Sequence, residues 1–384
     1  MGNLGRAKVA IVGVAESDIG IAAPGMTPVD LMAQGVDRAL SDCGISLRDV
    51  DGVFAAATQM NMPVLNLCEY LGIQPRYMDG THIGGASFEA HVGHAMAAIE
   101  SGACSVAVVA YGSTQRSAGR STAAPQEVSA YEAPYRPIHP VTAYALAASR
   151  HMHEFGTTRE QLAAIAVAAR QWALLNPVAW EKEPLTTAQV LAAPMIASPL
   201  TVRDCCLVTD GGGAVVIASA EIAKDLAKAP AYVLGVGEAA SHRHISGMPD
   251  LTASAARLSG QRAFAMAGLG PADVDVAQLY DAFTISALMF LEDLGFCGKG
   301  EGGSFVEAGR IAPGGAFPLN TNGGGLSYCH PGMYGIFLLI EAVRQIRGEC
   351  GERNVPDCHV AVAHGNGGVL SSQATVILGS AATV

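Results

Sequence analysis

An α/β fold built from two copies of one unit is predicted by three observations. Short apolar runs alternate with segments whose apolar residues recur at helical spacing, the pattern of strands joined by helices. Val9, Val12 and Gly13 return as Val233, Val236 and Gly237, and Gly44, Asp49, Val50 and Asp51 return in the same register as Gly268, Asp273, Val274 and Asp275. Later runs echo one another too, 106–110 with 360–364 and 214–218 with 374–378. A single match would mean little, but matched blocks in one register argue for duplication.

Taken in order, residues 7–15 form a short buried strand, 29–42 a helix, and 43–54 a turn leading into a second strand. A helix is expected to run through Ile99, followed by the strand at 106–110. The segment of about 113–200 has no partner in the second half. It begins polar and rich in Gly, Ser and Pro, continues with a helix at 158–174, and reads as an inserted loop domain. The first half is therefore assigned to 1–225, the second to 226–384, and the sheet is expected to be mostly parallel.

Composition narrows the function. Of 384 residues, 50% are hydrophobic, enough for a large core without staples. A net charge of −11 argues against a nucleic-acid surface, which needs a basic stripe. Nine cysteines without paired metal-ligand spacing read as free thiols in a reducing compartment, with no metal site in this chain. The apolar run before Glu16 and Asp18 lacks the layout of a signal peptide, and no run has the length of a membrane span, so a soluble cytoplasmic protein is expected.

The most reactive stretch is Asn320-Thr-Asn-Gly-Gly-Gly-Leu-Ser-Tyr-Cys-His-Pro-Gly-Met-Tyr-Gly335. Its glycines let backbone approach a ligand closely, and Tyr328, Cys329, His330 and Tyr334 can hold or move a proton once their surroundings tune them. The apolar run 334–343 reads as a buried helix, whose N-terminal N–H groups suit a developing anion.

These segments resemble the thiolase superfamily, in particular the branch of the sterol carrier protein 2 thiolase. Asp210-Gly-Gly-Gly-Ala-Val-Val-Ile217 is similar to the segment that closes the family's first half. Tyr280-Asp-Ala-Phe283 stands where the family carries Asn-Glu-Ala-Phe or His-Asp-Cys-Phe, Cys329-His-Pro-Gly-Met-Tyr-Gly335 is similar to the loop of the catalytic histidine, and His364-Gly-Asn-Gly-Gly368 falls at the last catalytic cysteine. The resemblance implies a five-layered αβαβα thiolase fold, a CoA thioester as substrate with no cofactor bound in this chain, and a homodimer. It also carries a departure. The nucleophilic cysteine would fall on Gly85, Ala86 or Ser87, none of them cysteine, and the second cysteine is replaced by His364.

Without the thiol, the resemblance leaves a site able to stabilise an enolate. Retro-aldol cleavage of a β-hydroxyacyl-CoA follows, with Tyr280, His330, Tyr334 and His364 as catalytic candidates and Ser87, Tyr328, Cys329 and Gly367 at the substrate. A phenol of ordinary pKa about 10 needs a nearby cation or hydrogen bond to serve as base; His330 could provide it or itself hold the thioester enolate as a donor, and Tyr334 and Tyr328 are rivals of Tyr280 for the base. Arg116, Arg120 and Arg136 could reach the CoA phosphates or simply be solvated. Cysteine-less members resemble bacterial steroid side-chain aldolases that work with a small zinc-containing OB-fold protein of the DUF35 type. Two alternatives stay open: an acyltransferase using Ser87 or Cys329 as nucleophile, and a non-catalytic acyl-CoA or lipid carrier.

Overall fold

The computed structural model describes residues 5–119 and 129–384. The strands are β1 (Val9–Glu16), β2 (Gly52–Ala55), β3 (Tyr77–Asp79), β4 (Val106–Ser113), β5 (Met195–Ala197), β6 (Leu200–Thr201), β7 (Gly211–Ser219), β8 (Ala231–Ala240), β9 (Val276–Leu279), β10 (Val360–Gly367) and β11 (Ser372–Gly379). The helices are α1 (Pro28–Cys43), α2 (Pro63–Leu71), α3 (Ser87–Glu100), α4 (Val141–Phe155), α5 (Arg159–Leu174), α6 (Thr187–Leu191), α7 (Ala220–Ala223), α8 (Ala256–Ala267), α9 (Thr284–Asp293), α10 (Gly302–Phe305) and α11 (Gly335–Arg347).

Nine strands form one sheet in the order β3-β2-β4-β7-β1-β8-β11-β10-β9. Read outward from its centre, β1-β7-β4-β2 mirrors β8-β11-β10-β9, the pairing anticipated from the repeated blocks. The halves meet through a short ladder in which Ala10 opposes Tyr232 and Ile11 opposes Ala231. Helices α1 and α2 cover the outer face of the first half-sheet and α8 that of the second, while α3 and α11 touch strands of both halves and lie between them. Five layers result.

The expectation of a mostly parallel sheet is corrected. β2 runs parallel to β3 and β4, and β9 to β10, but β1, β7, β8 and β11 run antiparallel to their neighbours. Strands buried on both faces read as continuous apolar runs whatever their direction, so apolar pattern alone does not carry it.

The duplication extends to single hydrogen bonds. Asp51 Oδ1 accepts the N–H groups of Ser105 and Val106 at 2.7 and 2.9 Å, fastening the start of β4. Asp275 Oδ2 accepts those of His359 and Val360, both at 2.8 Å, at the start of β10. Likewise Gly13 lies against the Ala39 carbonyl of α1 and Gly237 against the Ser259 carbonyl of α8, positions where a Cβ would overlap the helix backbone.

Asp51→Ala and Asp275→Ala each leave two strand-opening N–H groups without their carboxylate. Each is expected to lower stability by about 1–3 kcal/mol, and the double variant by roughly the sum, since the two share no partner. Urea unfolding of the three variants checks this.

Candidate active site

The glycine-rich stretch lies against the C-terminal end of β9 and is held there by side chains from several elements. Asn320 fastens it alongside β9, accepting the Leu279 N–H at 2.7 Å and donating to the Leu279 carbonyl at 2.8 Å. Residues Gly324–Tyr328 then form a π-helical turn, wider than an α-turn and common at functional sites. Asp281, just beyond β9, reaches beneath this turn and accepts the Gly325 N–H at 2.6 Å. Any Cβ at Gly324 would overlap the Asp281 carboxyl group.

From the inserted segment, Trp180 and Glu181 donate backbone N–H groups to the carbonyls of Tyr328 and Ser327, and Arg170 Nε donates to Ser327 Oγ at 3.0 Å. From β4, the Tyr111 hydroxyl donates to the Pro331 carbonyl and accepts the Met333 N–H at 3.0 Å. Thr209 Oγ1 accepts the His330 N–H at 3.1 Å.

His330 is thereby presented to Tyr280. The Tyr280 hydroxyl lies 3.1 Å from His330 Nε2, and the contact shares one proton in either tautomer. The Tyr334 N–H donates to the same oxygen at 3.0 Å, while the Tyr334 hydroxyl donates to Asn322 Oδ1 at 2.8 Å. Tyr280, His330 and Tyr334 are therefore brought together.

Their ionisation differs from expectation. Burial pushes His330 down to about 4, so near neutrality it is uncharged and supplies no cation. Burial also holds the Tyr280 and Tyr334 phenols well above their ordinary value. Both rings sit in apolar surroundings that penalise a lone charge.

The other candidates lie outside this constellation. His364 points to the opposite face of β10, with Nδ1 2.9 Å from Thr375 Oγ1 and Nε2 3.0 Å from Gln373 Oε1. Burial pushes it down to about 3. Side chains alternate along a strand, and its neighbour Gly365 is the one that faces α3. Tyr328 donates its hydroxyl to Glu16 at 3.0 Å, a carboxylate already paired with Arg344.

Ser87 Oγ donates to the Gly84 carbonyl at 2.7 Å and accepts the Ile83 N–H at 3.0 Å, fastening the turn before α3. Cys329 is wholly buried, and burial holds its thiol well above the ordinary range. Gly367 has a packing role, since a Cβ there would overlap the Ile83 carbonyl. Arg116 donates to the Val208 carbonyl and lies 4.7 Å from the Trp180 ring centre, Arg136 is exposed, and Arg120 falls outside the described residues.

The positions of the absent cysteines are informative. A Cβ on Gly85 would fall 2.6 Å from the Tyr280 hydroxyl, so the phenol occupies the volume a side chain at 85 would need. All nine cysteine thiols are pushed up by burial, the opposite of an activated nucleophile. No group of three His, Cys, Asp or Glu side chains among the described residues is placed to hold a metal ion. No helix among them is long and apolar enough to cross a membrane.

A five-layered duplicated α/β chain, with a buried tyrosine–histidine pair and burial-raised cysteine thiols, defines a thiolase-like protein. Comparison with known proteins agrees. The family described as Thiolase C-terminal domain-like matches residues 237–380. A 17-hydroxy-3-oxo-4-pregnene-20-carboxyl-CoA lyase of Mycobacterium tuberculosis is 34% identical across 94% of this chain and 97% of its own length. A steroid side-chain-cleaving aldolase of Thermomonospora curvata is 33% identical across 89% and 91%. The solved structure of an Ltp2-ChsH2(DUF35) aldolase superposes with a TM-score of 0.87 at 30% identity, covering 98% of each chain. The chain belongs to the thiolase superfamily, within its branch of carbon–carbon lyases.

Three contributors were not singled out from the sequence: Asp281 beneath the π-turn, Tyr111 behind Pro331, and Glu89 in α3. Burial pushes Asp281 up to about 7 from an ordinary value of 3.8. The folded chain thus holds a proton that the unfolded chain has released, and this contribution to stability fades as pH rises from about 4 to about 7. Asp281→Asn is expected to remove that part of the slope. Its Oδ1 still accepts the Gly325 N–H, but its Nδ2 cannot accept the Leu326 N–H that Asp281 Oδ2 takes at 3.4 Å, so it also costs about 1 kcal/mol. Urea midpoints measured across that pH window test both effects.

Proposed function

We propose that the chain cleaves a β-hydroxyacyl-CoA by a retro-aldol reaction, releasing a ketone or aldehyde and a shorter acyl-CoA. Lyase and aldolase relatives support the reaction class, and their steroid substrates support a bulky polycyclic acyl group. The observation that carries the reading is the Tyr280 hydroxyl, hydrogen-bonded to a neutral His330 and filling the space beside Gly85.

In this reading the substrate hydroxyl gives its proton to Tyr280 as Tyr280 passes its own to His330 Nε2. No free phenolate forms, which suits an environment that disfavours one. The carbon–carbon bond then breaks, and its electron pair moves onto the thioester as an enolate. Tyr334 keeps the Tyr280 oxygen in place through its main-chain N–H. The inserted segment of about 113–200, which grips the glycine-rich loop, would form part of the acyl cleft. An acyltransferase working through Ser87 or Cys329 has no support in the geometry, because the hydroxyl is fully engaged and the thiol is deactivated.

Two assemblies belong to the proposal. The solved aldolase pairs its thiolase-like chain with a DUF35 protein, which supports a partner of that type here, with any zinc on the partner. β3 ends the sheet, and Met62, Leu65, Tyr70 and Met78 on and beside it are exposed, which supports a homodimer covering that edge.

The purified chain, alone and with such a partner, should release carbonyl product from β-hydroxyacyl-CoA. Tyr280→Phe and His330→Ala should each lose about 10²–10⁴-fold in kcat with circular dichroism unchanged. Cleavage confined to β-ketoacyl-CoA, and dependent on free CoA, would refute the proposal.

A further inference from the structure

Glu89 is the one side chain in the described core whose two carboxyl oxygens are both buried and both without a hydrogen-bond partner. It lies on the first turn of α3 and is only 1% exposed. Leaving a carboxyl group in this condition is expensive, and such a group in a native fold calls for an explanation.

Its surroundings are shaped to receive it. A Cβ at Gly365 on β10 would overlap Glu89 Oε2, and a Cβ at Gly335, the first residue of α11, would overlap the same oxygen. Two elements therefore go without side chains where this carboxyl group stands. Glu89 follows Gly85 by one helical turn, so both face the same way, and side chains on a helix lean toward its N-terminus. The same pattern holds at both glycines: the Tyr280 phenol takes the side-chain space of Gly85, and the Glu89 carboxyl takes that of Gly365.

A retro-aldol cleavage needs two proton transfers, one off the β-hydroxyl and one onto the α-carbon. We propose that Glu89 performs the second, protonating the enolate at its α-carbon. This rests on the retro-aldol reading. The substrate hydroxyl proton passes through Tyr280 to His330, and the Cα–Cβ bonding pair becomes the enolate. The Glu89 O–H bond then breaks as a Cα–H bond forms, giving the acyl-CoA and a Glu89 carboxylate. Once the products leave, the proton on His330 returns to Glu89 through water, and both groups are reset.

The acid–base balance agrees. Burial pushes Glu89 up to about 8, so it carries its proton near neutrality. No charged side chain opposes this from the elements packed around it. β10 presents Gly365 while His364 turns away, α11 presents Gly335 preceded by Tyr334, and the end of β9 presents Tyr280. Asp281 is occupied with the Gly325 N–H, and Glu341 of α11 is paired with Arg353. The carboxylate left after the transfer faces the N-terminal turn of α11, where the helix dipole favours an anion.

Exchange of α-hydrogen for deuterium reads this step on its own. In heavy water the full-length enzyme, with its partner if purified so, is expected to exchange the α-hydrogens of acetyl-CoA or propionyl-CoA. Glu89→Gln should slow exchange by about a hundredfold while the first-turnover burst of carbonyl product stays near wild type. Glu89→Asp should restore part of the exchange. Exchange at the wild-type rate in Glu89→Gln, or none in wild type, overturns the assignment.

Infrared spectroscopy of the wild-type protein gives a reading independent of how the variants fold. Carbon-13 labelling of glutamate alone should shift a protonated-carboxyl band at neutral pH, and absence of a shifting band also overturns it. A wild-type enzyme that exchanges α-hydrogen but cleaves no β-hydroxyacyl-CoA would instead refute the retro-aldol reading and leave Glu89 as an acid for the α-carbon.

Discussion

The turn that opens α3 crosses the end of β10 so closely that neither chain tolerates a side chain at the contact. A Cβ on Gly84 would overlap Gly367, and a Cβ on Gly367 would overlap the Ile83 carbonyl, which also accepts the Ser372 hydroxyl at 2.6 Å. With these backbones in contact, nearby side-chain volumes are left for other elements to fill. Tyr280 enters one from β9, and Glu89 enters another from α3 itself. The groups proposed to react are thus placed where the backbone leaves room.

Burial sets the second character of the site, which is neutrality. The groups around Tyr280 are shifted toward their uncharged forms, the histidine downward and the phenols and carboxyl groups upward. In the proposed reaction protons pass between groups that are uncharged before the substrate reacts. A surface built to generate a thiolate does the reverse, lowering a thiol's pKa with a cation or helix end. The nine raised thiols show how far this interior has moved from that arrangement.

Residues of the same type and neighbourhood in sequence met different fates. Within the glycine-rich loop, His330 and Tyr334 turn toward Tyr280, whereas Tyr328 turns to Glu16 and Cys329 into the core. A glycine-rich loop carries no periodicity from which side-chain direction could be read. His364 is a different case, because alternation along β10 was legible but its phase was not. Phase depends on which face meets α3. Asp281 could have been singled out from its place beside Tyr280, since a carboxylate next to a run of backbone N–H groups is a natural acceptor. Glu89 and Tyr111 had no such signal.

Duplication, the α/β character of the chain and the loss of the nucleophilic cysteine were all determined by the sequence alone. The first two are residue types repeated at fixed intervals, and the third comes from the motif-by-motif resemblance to the thiolase superfamily; such patterns survive without coordinates. Strand direction, the choice among the tyrosines, the silencing of the thiols and the pairing of Glu89 with Gly365 were decided only by the tertiary structure. These depend on distances between segments hundreds of residues apart, and on the desolvation that follows when those segments close around a side chain.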